Sequence, residues 1–561
     1  MSRTTNAPSS ASATAGALRA AAAAFLTLAA PFAAYLQHHH YGFLQPEVLL
    51  LLVVLAAVAL PLGVAASRSR IAETALLAAL LTLFVDVQAP DLGAKKLGAI
   101  FLAIAVLMWL LQRNAATLVT MAMAAMCAVA LVPRSSASSH PPTARGTRDL
   151  PLLVHVVLDE HLGLAGLPAG LTSPDARGAF ERFFAGRGFR LFDAAYSEFP
   201  ETKWSMPHLL NLVAGEYRDD LARPGTVEDS YRMTRNEYFA RMAKAGYAIR
   251  VYQPDYLDVC ASVVADTACE TYPARTLEGI QRIDAPAPAK VRVIAGAYLY
   301  RSEVYRRSRE AYRDARWRAP PAWRPPAWNW ERGSTAPVGS MPMFDRVAAD
   351  LSSASRGEMV FAHFLLPHYP YVYDARCRPR PIGDWLGRSW EGRAELEPGT
   401  MNTPESRAER YRLYFEQLAC TREQLARLLD AIPAPLREDA IILVHGDHGS
   451  RIALTDPVTA AEDRMQPSDY ADSYSTLFAV RTPSIAGGSR TQPVAISCLM
   501  LALVDSEFRS TETARPCAAD GQVFLRHDTA PRARPLRAFW LPDPAAAAQA
   551  DIAKRFISSR H

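Results

Sequence analysis

The chain has 561 residues, half of them apolar, which rules out a single small domain. Its net charge of +5 is modest for that length and argues neither for nor against a nucleic-acid partner. The averages conceal a division: residues before about 133 are dominated by Ala, Leu and Val, and those after it have ordinary globular composition.

The first part reads as five membrane spans, near 17–36, 45–66, 71–88, 97–112 and 116–133. Each is close to the length that crosses a hydrocarbon core of roughly 30 Å. A cleaved signal peptide competes for the first span alone and cannot explain the four that follow. Glu73 and Asp86 lie near the ends of the third. Arg68, Arg70 and Arg113 fall on the side of the amino terminus, which the positive-inside rule assigns to the cytoplasm. Lys95 and Lys96 dissent, accompanied by Asp86 and Asp91. Five crossings deliver the remainder to a periplasm-like compartment.

Residues 134–149, rich in Ser, Pro and Arg, read as a linker between a 1–133 membrane domain and a 150–535 outer domain, with 536–561 as a helical, exposed tail. In the outer domain "LPLLVHVVLDEH" is a short apolar run of the kind buried on both faces of a sheet. Helical periodicity follows near 176–186 and in "NEYFARMAKAGY", then the strand "AIRVYQ". Further on come a helix near 341–353, the strand "MVFAHFLL", a helix near 405–431, the strands "AIILVHG" and "STLFAVRT", and the helix "PVAISCLMLALVDS". This alternation predicts a mostly parallel sheet covered on both faces, without internal repeats. A basic, Trp- and Pro-rich insert at 300–335 interrupts it, with Trp317, Trp323, Trp328 and Trp330. Two readings of the insert stand: a solvated helix followed by a loop, or a patch at lipid headgroups or an anionic glycan.

Cys127 lies in a span, leaving Cys260, Cys269, Cys377, Cys420, Cys498 and Cys517 outside. An even number in an oxidising compartment suggests three disulfides, paired in sequence order, with buried free thiols as the competing reading.

Polar residues cluster at three strand ends: Asp159, Glu160 and His161; His363 within a strand and His368 just past it; and Asp447 and His448. In a parallel sheet the crevice lies beyond the carboxyl ends of the strands, so these groups are predicted to converge. Carboxylates and imidazoles are ligands for zinc or a similar divalent ion. A fourth element is "TKWSMP", with Thr202 and Ser205 ahead of an apolar run.

In order, "VVLDE", "TKWSMP", "HFLLPHYP" and "HGDHG" resemble the sulfatase-like branch of the alkaline phosphatase superfamily. Membrane spans followed by such a domain are similar to the phosphoethanolamine transferases and lipoteichoic acid synthases. The resemblance implies an α/β alkaline-phosphatase/sulfatase-like domain behind a bundle of about five transmembrane helices. It implies Thr202 as nucleophile and metal ligand, with Asp159 or Glu160, Asp447 and His448 as further ligands. Zinc is the first choice of metal, with manganese, magnesium or calcium as alternatives. His363 and His368 match histidines that contact substrate or a second metal. His363 could equally be a core histidine, and His368 a phosphate contact or proton donor to the leaving group. Two departures are visible. The arginine of the sulfatase pattern CxPxR would fall at Leu209, and no histidine stands between His448 and His527, leaving His445 and His161 as substitutes. Ser205 is expected as a helix N-cap, with Pro207 in the first turn.

The implied activity moves a phospholipid headgroup phosphate, phosphoethanolamine or phosphoglycerol, to an envelope glycan or lipid through a phospho-threonine. The alternative is a membrane-anchored phosphodiesterase, phosphatase or sulfatase. The expected partners are membrane lipids as donor and an envelope glycan or lipid as acceptor, with no nucleic acid. The expected location is a bacterial-type inner membrane with the catalytic domain in the periplasm.

Overall fold

A computed structural model describes residues 10–536 except 90–91, 112–113, 133–145, 148, 173, 226–229, 263–266, 275–276, 326–335, 387–398, 459–463, 513–522 and 526–533. Most of the expected linker, Trp328, Trp330, Cys517 and residues 537–561 of the expected tail therefore lie outside the described residues. The chain divides into two compact units, one of residues 1–137, 275–333 and 381–394, the other of residues 138–274, 334–380 and 395–561.

Among the described residues of the first unit, four helices are long and apolar enough to cross a membrane: Thr14–His38, Pro46–Ala66, Arg70–Gln88 and Gly93–Leu111. The fifth expected span is the apolar helix Ala115–Ala130 of 16 residues. At 1.5 Å per residue it is about 24 Å long, short of the hydrocarbon core. Helices pack closely where side chains are small: a Cβ on Gly63 would lie 2.6 Å from Ala21 Cα of the first helix. Gln37 Nε2 donates to the carbonyls of Val129 (3.2 Å) and Val132 (2.6 Å). The first and fifth helices therefore end side by side. Arg70 Nη2 donates to Trp109 O (3.1 Å), which places the start of the third helix beside the end of the fourth. The bundle thus returns the chain at the end opposite Arg68 and Arg70.

The insert's helix Glu303–Arg318 belongs to this unit. Asp86, near the carboxyl end of Arg70–Gln88, accepts from Ser302 Oγ (2.5 Å), Glu303 N (3.0 Å) and Val304 N (3.1 Å). Ser302 Oγ in turn accepts from Tyr305 N (3.1 Å), so one buried carboxylate and one hydroxyl satisfy several of the free amides at this helix start. A second tie joins Lys290 Nζ to Glu47 Oε1 at 3.9 Å, and Tyr41 Oη also donates to Glu47. Both ties, and Gly42 N donating to Gln281 Oε1, lie at the bundle end away from Arg68.

In the second unit an eight-stranded sheet runs in the order Gly488–Arg490, Arg190–Phe192, Phe478–Arg481, Ile441–His445, Leu153–Leu158, Glu358–Phe364, Ala248–Pro254, Ala268–Tyr272. Among its described strands, only Phe478–Arg481 pairs antiparallel to its neighbours. The run "LVHVVL" is buried along its whole length, as a central strand covered on both faces requires. One face packs Leu153, Val157, Met359, Phe361, Ile441 and Leu443 against the helices Thr202–Leu210, Glu237–Ala245 and Ile496–Asp505. The other carries Ala336–Leu351, whose Phe344 stacks on Phe364 with ring centroids 3.7 Å apart. Helix Glu237–Ala245 ends on Gly246 in the left-handed region (φ 104°), as its sequence predicts.

Cys260–Cys269 and Cys377–Cys420 are disulfides, in the expected pairing. Cys498 is also disulfide-bonded, and Cys127 is a free thiol.

Asp86→Ala should release the start of the 303–318 helix, because three donors lose their acceptor at a cost of roughly 1–3 kcal/mol. Hydrogen exchange of the 303–308 amides in detergent should then quicken about tenfold or more; unchanged exchange would show that other contacts hold the helix.

Candidate functional site

Strand register builds the site. Val157 pairs with both His363 and His445, so the three side chains share one face at one level. Two residues further on, the same face carries Asp159 and Asp447. Single ligand atoms of Asp159, His363 and Asp447 all lie within 4.8 Å of one another. His448 follows Asp447 and brings Nε2 to 3.3 Å from Asp447 Oδ2 and 3.6 Å from Asp159 Oδ1. Its Nδ1–H donates to Gly449 O (2.9 Å), which fixes the tautomer and leaves Nε2 bare toward the cluster.

Thr202 is the first residue of helix Thr202–Leu210, and its Oγ1 lies 3.2 Å from His448 Nε2. The helix starts four residues before the expected place. Glu201 is therefore the N-cap residue, Ser205 sits inside the helix and Pro207 in its second turn. The reason is local: Trp204 and Ser205 both donate backbone N–H to Glu201 O at 3.0 Å, closing the first turn early. Ser205 Oγ is buried without a hydrogen-bond partner.

The adjacent acids lie just past the end of the strand and separate. Glu160 takes a left-handed conformation (φ 61°) and turns away from Asp159. Its carboxylate accepts from Tyr369 N (3.1 Å) and lies 3.5 Å from His368 Nε2. Asp159 is thus the acid within the cation-sized cluster, and Glu160 belongs to a neighbouring pair with His368. His363 lies in the cluster, its Nε2 3.8 Å from Asp159 Oδ2, rather than beside His368. His445 and His161 stay outside the cluster. His445 Nε2 meets His155 Nε2 at 2.7 Å, and His161 Nδ1–H donates to Leu162 O (2.9 Å).

The cluster fits a divalent cation on its own chemistry. Asp159, His363, Asp447 and His448 are buried, and among the described residues Asp159 Oδ1, Asp447 Oδ2 and both ring nitrogens of His363 have no hydrogen-bond partner. Two buried carboxylates this close, unmatched by a nearby cation, are costly unless a positive charge joins them. Burial and the charge of Asp447 push the Asp159 carboxyl up to about 8. Burial also raises Asp447, but His448, His363 and hydrogen bonds from Thr202 and Glu160 N outweigh it and hold the carboxyl low. Burial lowers His363 to about 4, so the imidazole is neutral and able to ligate at pH 7.

One helix that the sequence analysis left without a task holds all three loops. On Pro404–Asp430, Arg407, Tyr411, Tyr414 and Gln417 recur every three or four residues and share a face. Tyr414 Oη donates to Glu160 O (2.9 Å) and accepts from Leu162 N (2.9 Å). Gln417 Nε2 donates to Pro367 O (3.0 Å) and His368 O (2.9 Å). Arg407 grips Asp472 with Nε (2.6 Å) and Nη2 (2.8 Å), and Tyr411 Oη donates to the same carboxylate. The residues around Asp472 close over "DHG": a Cβ on Gly449 would lie 2.3 Å from Asp472 O, so only glycine fits. The polar face of this helix was the available signal for the positioning residues.

No protein-family model and no curated protein matches the chain. Among solved structures, it is similar to the phosphonate monoester hydrolase of Agrobacterium radiobacter, with 14% identity, 73% of this chain and 95% of that chain covered, and a TM-score of 0.41. The zinc complex of the C-terminal periplasmic domain of EcEptC from Escherichia coli aligns at 13% identity over 72% of this chain and 98% of that one, TM-score 0.37. A 2-O GAG sulfatase aligns at 13% identity over 68% and 79%, TM-score 0.38.

Proposed function

We propose that the chain is a metal-dependent transferase that moves a phospholipid-derived headgroup phosphate to an envelope glycan or lipid through a phospho-threonine at Thr202. The observation that carries this reading is the position of Thr202 Oγ1, 3.2 Å from the bare Nε2 of His448, beside buried and partnerless carboxylate and imidazole atoms. Asp159, His363, Asp447 and His448 would hold the ion, with Thr202 at its edge. A divalent ion bound there lowers the pKa of an adjacent hydroxyl and neutralises charge on phosphoryl oxygens. Zinc suits an imidazole- and carboxylate-bearing site, with manganese, magnesium or calcium as alternatives.

The chain's own groups account for the rest. The first amides of helix Thr202–Leu210 point toward an incoming anion, at the positive end of the helix dipole. The Thr202 Oγ–phosphorus bond forms as the bond from phosphorus to the diacylglycerol oxygen breaks, and the hydroxyl proton passes to water. His368, a quarter exposed and held against Glu160, would protonate the departing oxygen. An acceptor hydroxyl then displaces Thr202. A water in that second step would make the chain a phosphodiesterase instead. A formylglycine sulfatase fits less well, because Ser205 lies inside the helix and Thr202 meets His448.

The membrane helices favour a lipid donor. Disulfides Cys260–Cys269 and Cys377–Cys420 favour an oxidising compartment such as the periplasm. The emergence of the chain opposite Arg68 and Arg70 agrees with a multi-pass inner-membrane protein whose catalytic unit lies outside.

Incubated with vesicles of phosphatidylethanolamine or phosphatidylglycerol, the purified protein should gain a headgroup-phosphate mass on the peptide bearing Thr202. Thr202→Ala and Asp447→Ala should each lower turnover about a thousandfold or more. Full activity in both variants would refute the assignment, and formylglycine at position 205 would replace it with a sulfatase.

Metal dependence should follow pH with a defined sign. Asp159 is raised from 3.8 to about 8, so the metal-free fold binds a proton there that the unfolded chain has lost. Its stability should therefore fall as pH rises from about 4 toward 8. A bound cation replaces that proton, so the gain in melting temperature on adding zinc to chelated protein should be larger at pH 8 than at pH 6. An equal gain at both values would count against Asp159 as a ligand.

A further inference from the structure

We propose that a basic patch at the outer end of the membrane bundle binds the headgroup of an anionic phospholipid in the outer leaflet. Lys95 and Lys96 build it together with Arg301, Arg306, Arg307 and Arg309. The inference rests on the reading of the apolar helices as membrane spans, and it adds a lipid contact that the transfer reaction does not require.

Two elements bring these residues to one boundary. Arg70 at the start of the third span meets Trp109 at the end of the fourth. The end of the third, with Asp86, therefore lies beside the start of the fourth, with Lys95 and Lys96. Ser302 Oγ and the amides of Glu303 and Val304 dock helix Glu303–Arg318 on Asp86, and Arg301 Nε donates to Val87 O (3.2 Å). The same helix packs against the fourth span. Arg306, Arg307 and Arg309 follow within about two helical turns of that anchor. Aromatic rings mark the level. Tyr298 lies 5.3 Å from Phe32 and 5.2 Å from Tyr35, near the outer end of the first span, and the Arg301 guanidinium lies 5.9 Å over Tyr35. Amphipathic rings at the ends of spans are the mark of a headgroup layer.

The charges at this boundary do not cancel. Lys95 and Lys96 oppose the positive-inside rule, and in the sequence Asp86 stands close enough to offset them. The structure commits Asp86 to the 302–304 segment instead, where it is buried. Lys95 and Lys96 are exposed, and among the described residues neither makes an ion pair. Arg306 and Arg307 share the one carboxylate of Glu303, at 2.8 and 2.6 Å. The Arg307 side chain is 59% exposed, and Val304 on the adjoining turn is 49% exposed. A positive surface with an apolar side chain beside it, at the end of membrane spans, complements a phosphodiester above acyl chains. One partner thus accounts both for the arginines of the insert and for the two lysines on the unexpected side.

The test uses the full chain in phosphatidylcholine nanodiscs that hold a small share of phosphatidylglycerol with a photoreactive group at its headgroup. Cross-links should map to peptides bearing 93–97 and 301–309, about tenfold or more above those from phosphatidylcholine labelled in the same way. Lys95→Gln, Lys96→Gln and Arg307→Gln combined should bring the two lipids to within about twofold of each other, with the melting temperature unchanged because these side chains are exposed. The charge-retaining combination Lys95→Arg, Lys96→Arg and Arg307→Lys should keep the preference. Equal labelling by the two lipids, a preference that survives the glutamine variant, or its loss in the charge-retaining variant overturns the inference. Labelling of these peptides by an anionic oligosaccharide and not by phosphatidylglycerol would assign the patch to a glycan. Failure of the chain to enter nanodiscs would remove the membrane reading itself, and this inference with it.

Discussion

The register of three parallel strands is the constraint on which the site depends. With Val157 opposite both His363 and His445, the residues two positions further on face the same way at the same height. A one-residue slip would turn every one of these side chains to the opposite face. Packing on both faces of Leu153–Leu158 opposes that slip, because it would exchange the sets facing the helices on either side and move His155 to the other face. Hydrophobic packing therefore sets the position of the polar cluster, although it contributes nothing to its chemistry.

The strands bring the carboxylates close, and the loops beyond them need separate restraint. Helix Pro404–Asp430 supplies it with Arg407, Tyr411, Tyr414 and Gln417 along one face. The Arg407–Asp472 pair is buried, and its two-pronged geometry satisfies both carboxylate oxygens, which offsets the cost of desolvating them. The two carboxyl groups stay near one another because their loops are pinned elsewhere. This is preorganisation: before any cation arrives a proton on Asp159 relieves the repulsion, and the pinned loops keep both groups in place for the ion.

The membrane unit follows a parallel logic. Asp86 and Glu47 are acidic groups at the ends of apolar helices, positions where an unpartnered charge is costly. Each is completed by the 275–333 segment, through Ser302 and the amides after it and through Lys290. Polar completion explains how a segment from the middle of the chain is specified as part of the same compact unit as the first helices.

Composition alone determined the apolar helices, and the alternation of short apolar runs with amphipathic stretches determined the parallel sheet, because both reflect local burial that repeats with a short period. The Cys260–Cys269 bridge was legible for a similar reason, since nine residues separate its ends. The tertiary structure alone decided between Asp159 and Glu160, through a left-handed turn that neighbouring residue types do not dictate. It likewise decided the place of His363, the early start of the helix at Thr202, and the grouping of the 303–318 helix with the membrane helices. Those outcomes are through-space distances between groups far apart in the chain, and only packing sets them.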